Sequence, residues 1–205
     1  GLYGQTLEDA LTITQLVMEP NGGQSFSVNG RFSKGFDWKA FVFSAEASLG
    51  RSKSEQLRQE SFIDYTGSWL NINTTIHLKF FHWLIAEYKA SWAKNQGEVS
   101  SGEHFPTMRS VNQRLGIDVL LPFEIGLNGT LEHYYNNAVD GNRNFPLADL
   151  GLFFTYRRVR FSLDWTNMLN TSKYISTSYG TLNSYYSEYD IRPMAILLNV
   201  RFKLL

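Results

Sequence analysis

The chain has 205 residues, with 19 Lys+Arg against 19 Asp+Glu, no cysteine, and 15% aromatic residues. Zero net charge argues against a nucleic-acid partner, which calls for a basic patch or stripe, and without cysteine there is neither a disulfide framework nor a thiolate metal site. No run of 18 apolar residues is present, so no membrane-spanning helix is expected; a spanning β-barrel stays open, because half of each barrel strand faces a polar lumen.

The chain opens Gly1-Leu2-Tyr3-Gly4 rather than with a basic n-region, which implies a processed chain or a piece of something longer. Leu7 to Met18 reads as a first strand, with Leu11 and Ile13 on one face. Pro20-Asn21-Gly22-Gly23 then turns the chain. From Gln24 to Ser33, Phe26, Val28, Gly30 and Phe32 alternate with Ser25, Ser27, Asn29 and Arg31. Trp38 to Gly50 sets Phe41, Phe43, Ala45, Ala47 and Leu49 against Val42, Ser44, Glu46 and Ser48. Arg51 to Glu60 reads as a charged loop.

Phe62 to Phe80 carries Leu70, Ile72, Thr74, Ile76 and Leu78 on one face. After a short break at Phe81-His82, Trp83 to Lys94 alternates again. Its Ala, Glu, Lys and Leu content would also suit a helix, and strand is preferred because the neighbours alternate. Asn95 to Thr107 reads as the longest polar loop. Arg109 to Leu121 is the cleanest strand, Pro122 turns it, and Phe123 to Tyr135 follows. Asn136 to Pro146 is an Asn/Asp/Gly loop. Leu147 to Tyr156 and Val159 to Thr166 form a close pair. The chain then passes Asn167-Met168-Leu169-Asn170, a strand about Tyr174 to Thr181 in a Tyr-rich segment, and a closing strand over 194–204.

These eleven or so strands, 10–12 within the accuracy of such boundaries, predict an all-β, antiparallel, up-and-down transmembrane β-barrel segment spanning 1–205. Several strands run well past the ~5–6 residues usual in globular sheets and match the ~9–11 of a tilted transmembrane strand. Charged residues fall on the less apolar face. Arg114, Asp118, Glu124, Glu132, Asp149, Arg160, Asp164 and Arg201 are the candidate lumen-lining residues. The solvent face of a soluble sandwich could hold the same charges, so strand length and aromatic content favour the barrel. An odd count is at odds with the even strand numbers of single-chain bacterial barrels.

Arg160-Phe161-Ser162-Leu163-Asp164-Trp165-Thr166-Asn167-Met168-Leu169-Asn170-Thr171, followed by Lys173-Tyr174, resembles the turn near the C-terminus of TonB-dependent outer-membrane receptors and related barrels of Gram-negative bacteria. The Tyr-rich segment, Arg192-Pro193 and the closing strand fit the same pattern, so the resemblance covers about the last 60 residues. The ending Phe202-Lys203-Leu204-Leu205 departs from the aromatic terminus usual there. The resemblance implies the C-terminal part of a larger receptor barrel taking part in nutrient import. Its partners would be outer-membrane lipid, an upstream plug and further barrel strands, TonB and a surface lipoprotein, with no cofactor. It also implies a periplasmic end for the last strand. With eleven crossings, that places the short turns at Gly35, Phe81, Pro122 and Arg158 outside the cell, against the rule that long loops lie outside.

No metal or catalytic site is expected. His77, His82, His104 and His133 lie in no ligand spacing, and no G-x-S-x-G is present. Tyr134-Tyr135 and Tyr185-Tyr186 suit an interface girdle better than a substrate platform. The competing functions are a complete small outer-membrane barrel with a structural, adhesive or passive-pore role, and a soluble ligand-binding β-domain.

Overall fold

The computed structural model describes residues 3–7, 13–17, 23–37, 40–58, 61–100, 102, 104–179 and 184–202. The strands are β1 (Tyr3–Leu7), β2 (Ile13–Val17), β3 (Gln24–Phe36), β4 (Phe41–Arg58), β5 (Ser61–Phe81), β6 (Leu84–Val99), β7 (Met108–Leu121), β8 (Ile125–Asn136), β9 (Asn144–Tyr156), β10 (Val159–Thr166), β11 (Lys173–Tyr179), β12 (Ser184–Asp190) and β13 (Ala195–Phe202). Eleven strands form one sheet, and β11 and β12 form a separate hairpin. The all-β antiparallel architecture is as the alternation predicts.

The core of the sheet is a meander in the order β3-β4-β5-β6-β7-β8-β9-β10-β13. Among the described residues it stays open, with β3 at one margin and β13 at the other. The predicted first strand is instead two short strands, β1 and β2, paired with each other; Leu11 lies outside the described residues. β1 joins the sheet only at Gly4↔Leu57 and Gln5↔Arg58, in parallel, beyond the end of β3. Lys203 and the tail of the predicted closing strand also lie outside the described residues.

Two predicted loops are largely strand. Arg51 to Arg58 continues β4, and its ladder with β5 runs without a break from Val42↔His77 to Arg58↔Ser61. Asn95 to Val99 likewise continues β6, paired to Tyr65 through Trp69. The cause is that backbone ladders need no apolar face, so a hairpin runs on where both faces turn polar. β6 is strand throughout, paired to β5 along its whole length and to β7 from Leu84 to Asn95.

The largest correction concerns the end of the chain. The strand expected about Tyr174 to Thr181 is, over its described residues, not part of the main sheet. β11 pairs only with β12, and β13 pairs with β10 from Thr166↔Ala195 to Val159↔Phe202. The segment from Asn167 to Met194 is therefore an excursion at one end of the sheet. With that crossing removed, β13 ends level with the β9–β10 turn, on the side of the turns after β3, β5 and β7. The conflict between a periplasmic last strand and outward long loops disappears. One end of the sheet carries the turns after β3, β5, β7 and β9 and the end of β13; the other carries the β4–β5 connection and the long connections after β6 and β8.

The register sorts the side chains into two continuous faces. One apolar row runs Phe43↔Ile76↔Tyr88↔Leu115↔Leu131↔Ala148, and another runs Leu84↔Val119↔Leu127↔Leu152↔Leu163↔Leu198. The opposite face carries Ser44↔Thr75↔Lys89↔Arg114↔Glu132. Among the described residues no layer covers the apolar face. The buried hydrophobic side chains among the described residues are Val99, Val139 and Phe145, whereas Phe32, Leu49, Ile72, Ile117, Leu131, Leu152, Phe161 and Leu198 stand exposed.

The polar face is the more crowded one, open at Gly35 and Gly116 but close-packed at other glycines. A Cβ added to Gly126 would lie 1.9 Å from the Phe153 ring, one at Gly50 would lie 2.2 Å from Trp69, and one at Gly151 would lie 1.9 Å from Asn128. On the apolar face Gly30 meets nothing within 4 Å, and Gly129 meets its first neighbour at 3.9 Å. Side chains converge on the inside of a curved sheet and splay apart on its outside, so the polar face is the concave one.

Candidate functional site

The predicted lumen-lining residues lie along this concave face, with one exception. Arg114 Nε is 3.3 Å from Glu132 Oε1, and Tyr134 donates to the other Glu132 oxygen at 2.8 Å. Beside them Lys89 lies 2.7 Å and His77 3.4 Å from Glu87. Lys89 and Arg114 face each other across the ladder, and each has its own carboxylate. Asp118 sits one ladder step from Asn128. Asp164 accepts from Asn199 Nδ2 at 3.0 Å and from Ser162 Oγ at 3.5 Å. Arg160 stacks its guanidinium 3.9 Å from the Phe153 ring centroid, and Arg201 lies directly across the ladder from it.

Glu124 is the exception. It lies in a tight 3₁₀ turn, Pro122–Glu124, with φ of 56°, after Phe123 at φ of 66°. The strand predicted from Phe123 begins instead at Ile125, paired to Leu121. Proline has no N–H to give the ladder, so the hairpin closes over these three residues.

Asp149 belongs to a different assembly that sequence reasoning registered only as a motif. Its Oδ1 accepts the Asn167 backbone N–H at 2.7 Å, and Met168 N–H donates to Ala148 O at 2.8 Å. The buried Asn167 side chain donates to Thr171 O at 2.8 Å and to Arg192 O at 2.9 Å, and accepts from Thr171 N–H at 2.9 Å. The Thr171 hydroxyl donates to Pro146 O. Met194 N–H donates to Asn170 Oδ1 at 3.2 Å. Asn167 and Asn170 have φ of 48° and 51°, a left-handed conformation that asparagine tolerates better than most residues. The Asn-Met-Leu-Asn-Thr stretch is thus a clasp. It ties the top of β10 to the start of β9 and to both roots of the excursion that leads to β13.

The β11–β12 hairpin leans over the polar face. Tyr174 meets the Tyr134 ring edge-on at 5.5 Å and the Phe145 ring at 5.4 Å, and stacks with Tyr189 at 6.2 Å. Asn136 Nδ2 reaches Thr177 O at 3.5 Å. The register puts Tyr134 and Phe145 in the polar-face row, so the hairpin covers the rim of the concave side at the long-connection end. A cavity of about 230 Å³ lies beneath it, lined by Asn95, Ser110, Asn112, Asn136 and Tyr174 among others.

Farther out on the β4–β6 extension, Lys53 lies 2.7 Å from Asp64, and this raises the lysine's pKa above its ordinary value. His104 lies 3.5 Å and Arg51 4.0 Å from Glu98. His77, His104 and His133 thus sit on separate parts of the sheet, the last of them 3.0 Å from Asn144 Oδ1. Compared with known proteins, the chain matches no family model, no curated protein and no solved structure.

Proposed function

We propose that this chain forms wall strands of a transmembrane β-barrel in a bacterial outer membrane, of the TonB-dependent receptor type, taking part in nutrient import. The observation that carries this reading is the uncovered apolar face and its height. On β4 the face runs from Phe41 to Leu49, nine residues, and on β7 from Val111 to Leu121, eleven residues. At ~3.4 Å per residue and a tilt of ~40°, these correspond to a band about 21–26 Å tall, against about 25 Å for the apolar band of such barrels.

Beyond the band both faces turn polar, as in the row Arg51↔Ser68↔Gln96. Gln113 and His133 interrupt the face near that edge, and Lys34, opposite Phe43, near the other. Aromatic rings mark the short-turn edge: Phe36 with Phe41 at 5.2 Å, Phe81 stacked on Trp83 at 5.1 Å, the protruding Phe123, and Tyr156. A water-soluble sheet would leave this face in contact with water, far beyond the few hundred Å² that monomers usually expose.

Strand direction favours a segment of a larger wall over a complete small barrel. β3 and β13 both run from the long-connection end to the short-turn end, so pairing them would be parallel. An antiparallel wall needs an odd number of further strands between these margins. The receptor type and the import role rest on the clasp motif and its place before the last strand.

The test is to dilute the urea-unfolded chain into phospholipid vesicles. The chain should float with the vesicles, with β4 to β10 protected from protease and the connections over 100–107 and 137–143 cleaved. A folded β-protein left in the aqueous phase would overturn the membrane reading in favour of a soluble ligand-binding domain. A heat-modifiable gel shift by the chain alone would favour the complete small barrel.

A further inference from the structure

The polar face contains two pairs of like charges set directly across the ladder, and they differ in one respect. Lys89 and Arg114 are opposite each other, and Glu87 and Glu132 neutralise them at 2.7 and 3.3 Å. Arg160 and Arg201 are also opposite each other, yet among the described residues neither makes an ion pair or donates a hydrogen bond to a protein group. Like charges facing directly across a ladder are destabilising. The nearest carboxylate on these strands, Asp164, is four residues up β10 from Arg160, about 13 Å along the strand, and is already taken by Asn199 and Ser162. Arg157 and Arg158, in the adjoining turn, add further positive charge.

The two arginines line a groove of about 530 Å³ on the concave face, together with Asn128, Phe153, Ser162 and Asn199; Asp164 lines it too, its carboxylate engaged by Asn199 and Ser162. Phe153 holds the Arg160 guanidinium, its carbon 3.9 Å from the ring centroid, in a cation–π contact. A guanidinium fork matches the oxygens of a phosphate or a carboxylate, and two such forks on adjacent strands can grip one anion from both sides.

We propose that Arg160 and Arg201, with Asn199 beside them, form a binding site for the phosphate or carboxylate group of a small water-soluble solute at the short-turn end of the polar face. The site rests on the proposed function only in requiring that this face be wet.

The experiment uses the full chain folded in detergent micelles and inorganic phosphate as the probe, with titration calorimetry and the thermal midpoint as readouts. Phosphate should bind saturably and raise the midpoint above that in chloride at equal ionic strength. Arg201→Gln should weaken binding roughly tenfold or more, and Arg160→Gln/Arg201→Gln should abolish it together with the midpoint shift. Lys79→Gln removes one cation from the same face outside the groove and should leave both readouts unchanged.

Absence of saturable binding, binding unchanged in the double variant, or an equal loss in Lys79→Gln would each overturn the site. In the first case the two arginines would answer to a carboxylate on whatever strand covers the free edge of β13. Vesicle flotation is scored separately. A chain that binds phosphate but does not float retains the site and refutes the membrane reading, whereas one that floats without binding does the reverse.

Discussion

The meander and the β11–β12 hairpin are both antiparallel β-structure, and they differ in what their alternation contains. In β7 the alternate positions Leu115, Ile117, Val119 and Leu121 are aliphatic on one face. In the hairpin one face holds Tyr174 and Ser176 opposite Tyr189 and Ser187, and the other holds Lys173, Ile175 and Thr177 opposite Asp190, Glu188 and Tyr186. Alternation alone makes a strand, whereas an unbroken aliphatic face makes a strand of the wall. The hairpin is seated instead by tyrosine rings against Tyr134 and Phe145.

The largest expected effect comes from placing a charge on the face that only the wall has. Ile117→Arg should reduce the stability of folding into vesicles by about 2–4 kcal/mol, and Asp118→Arg, on the polar side of the same strand, by much less. Ile175→Arg, at the one aliphatic residue of the strands β11 and β12, should leave insertion unchanged. Urea titration in vesicles measures all three, and equal costs at 117 and 118 would remove the distinction between the faces.

The clasp joins the two regions. Asn167→Ala removes three side-chain hydrogen bonds and puts a Cβ without a polar arm at a φ of 48°, so it should cost about 2–3 kcal/mol. The loss should appear as faster hydrogen exchange at the tops of β10 and β13. Asn167→Gly keeps the backbone conformation and should recover only part of it. Exchange that stays unchanged in both variants would deny the clasp its role.

Tyr174→Ser should release the hairpin while leaving the wall intact. Two edge-on ring contacts to the wall are lost, at about 0.5–1.5 kcal/mol each. Limited proteolysis should then cut within 173–190 well before any wall strand. Simultaneous cleavage of both regions would show that the hairpin is part of the wall's cooperative unit.

The smallest effect is that of pH on the hairpin. The Lys173 ammonium and the Tyr186 hydroxyl both donate to the Glu188 carboxylate, which lowers the Glu188 pKa below its ordinary 4.5; the same contact raises Lys173 above its ordinary 10.5. A lowered carboxylate pKa contributes stability in full above 4.5 and loses it as pH falls through the lower folded value. A raised lysine pKa contributes in full below 10.5 and loses it as pH rises through the higher one. Protection of β11 and β12 from hydrogen exchange should therefore carry the full, pH-independent contribution of this pair between those limits and weaken outside them. Glu188→Gln should remove both flanks, and flanks that persist in that variant would assign them to other groups.

The sequence by itself determined the strands of the meander and their two faces. A period of two places every second side chain on one side of the sheet, and runs such as Leu115 to Leu121 carry that period without help from neighbours. It also marked the Asn167 to Thr171 turn and seven of the eight polar-face candidates. What only the tertiary structure decided was partnership. Tyr174 to Tyr179 alternates, but β10 bonds to β13 rather than to β11, and that choice removed a crossing and set the end of β13 beside the short turns. The extension of β4 through Arg58 was equally hidden, because a backbone ladder with β5 holds it and no side-chain pattern marks it. Arg160 and Arg201 are forty-one positions apart, and only the β10–β13 register puts them side by side without a counter-charge. Periodicity is a local property of the chain, whereas register and pairing depend on which distant backbone groups meet.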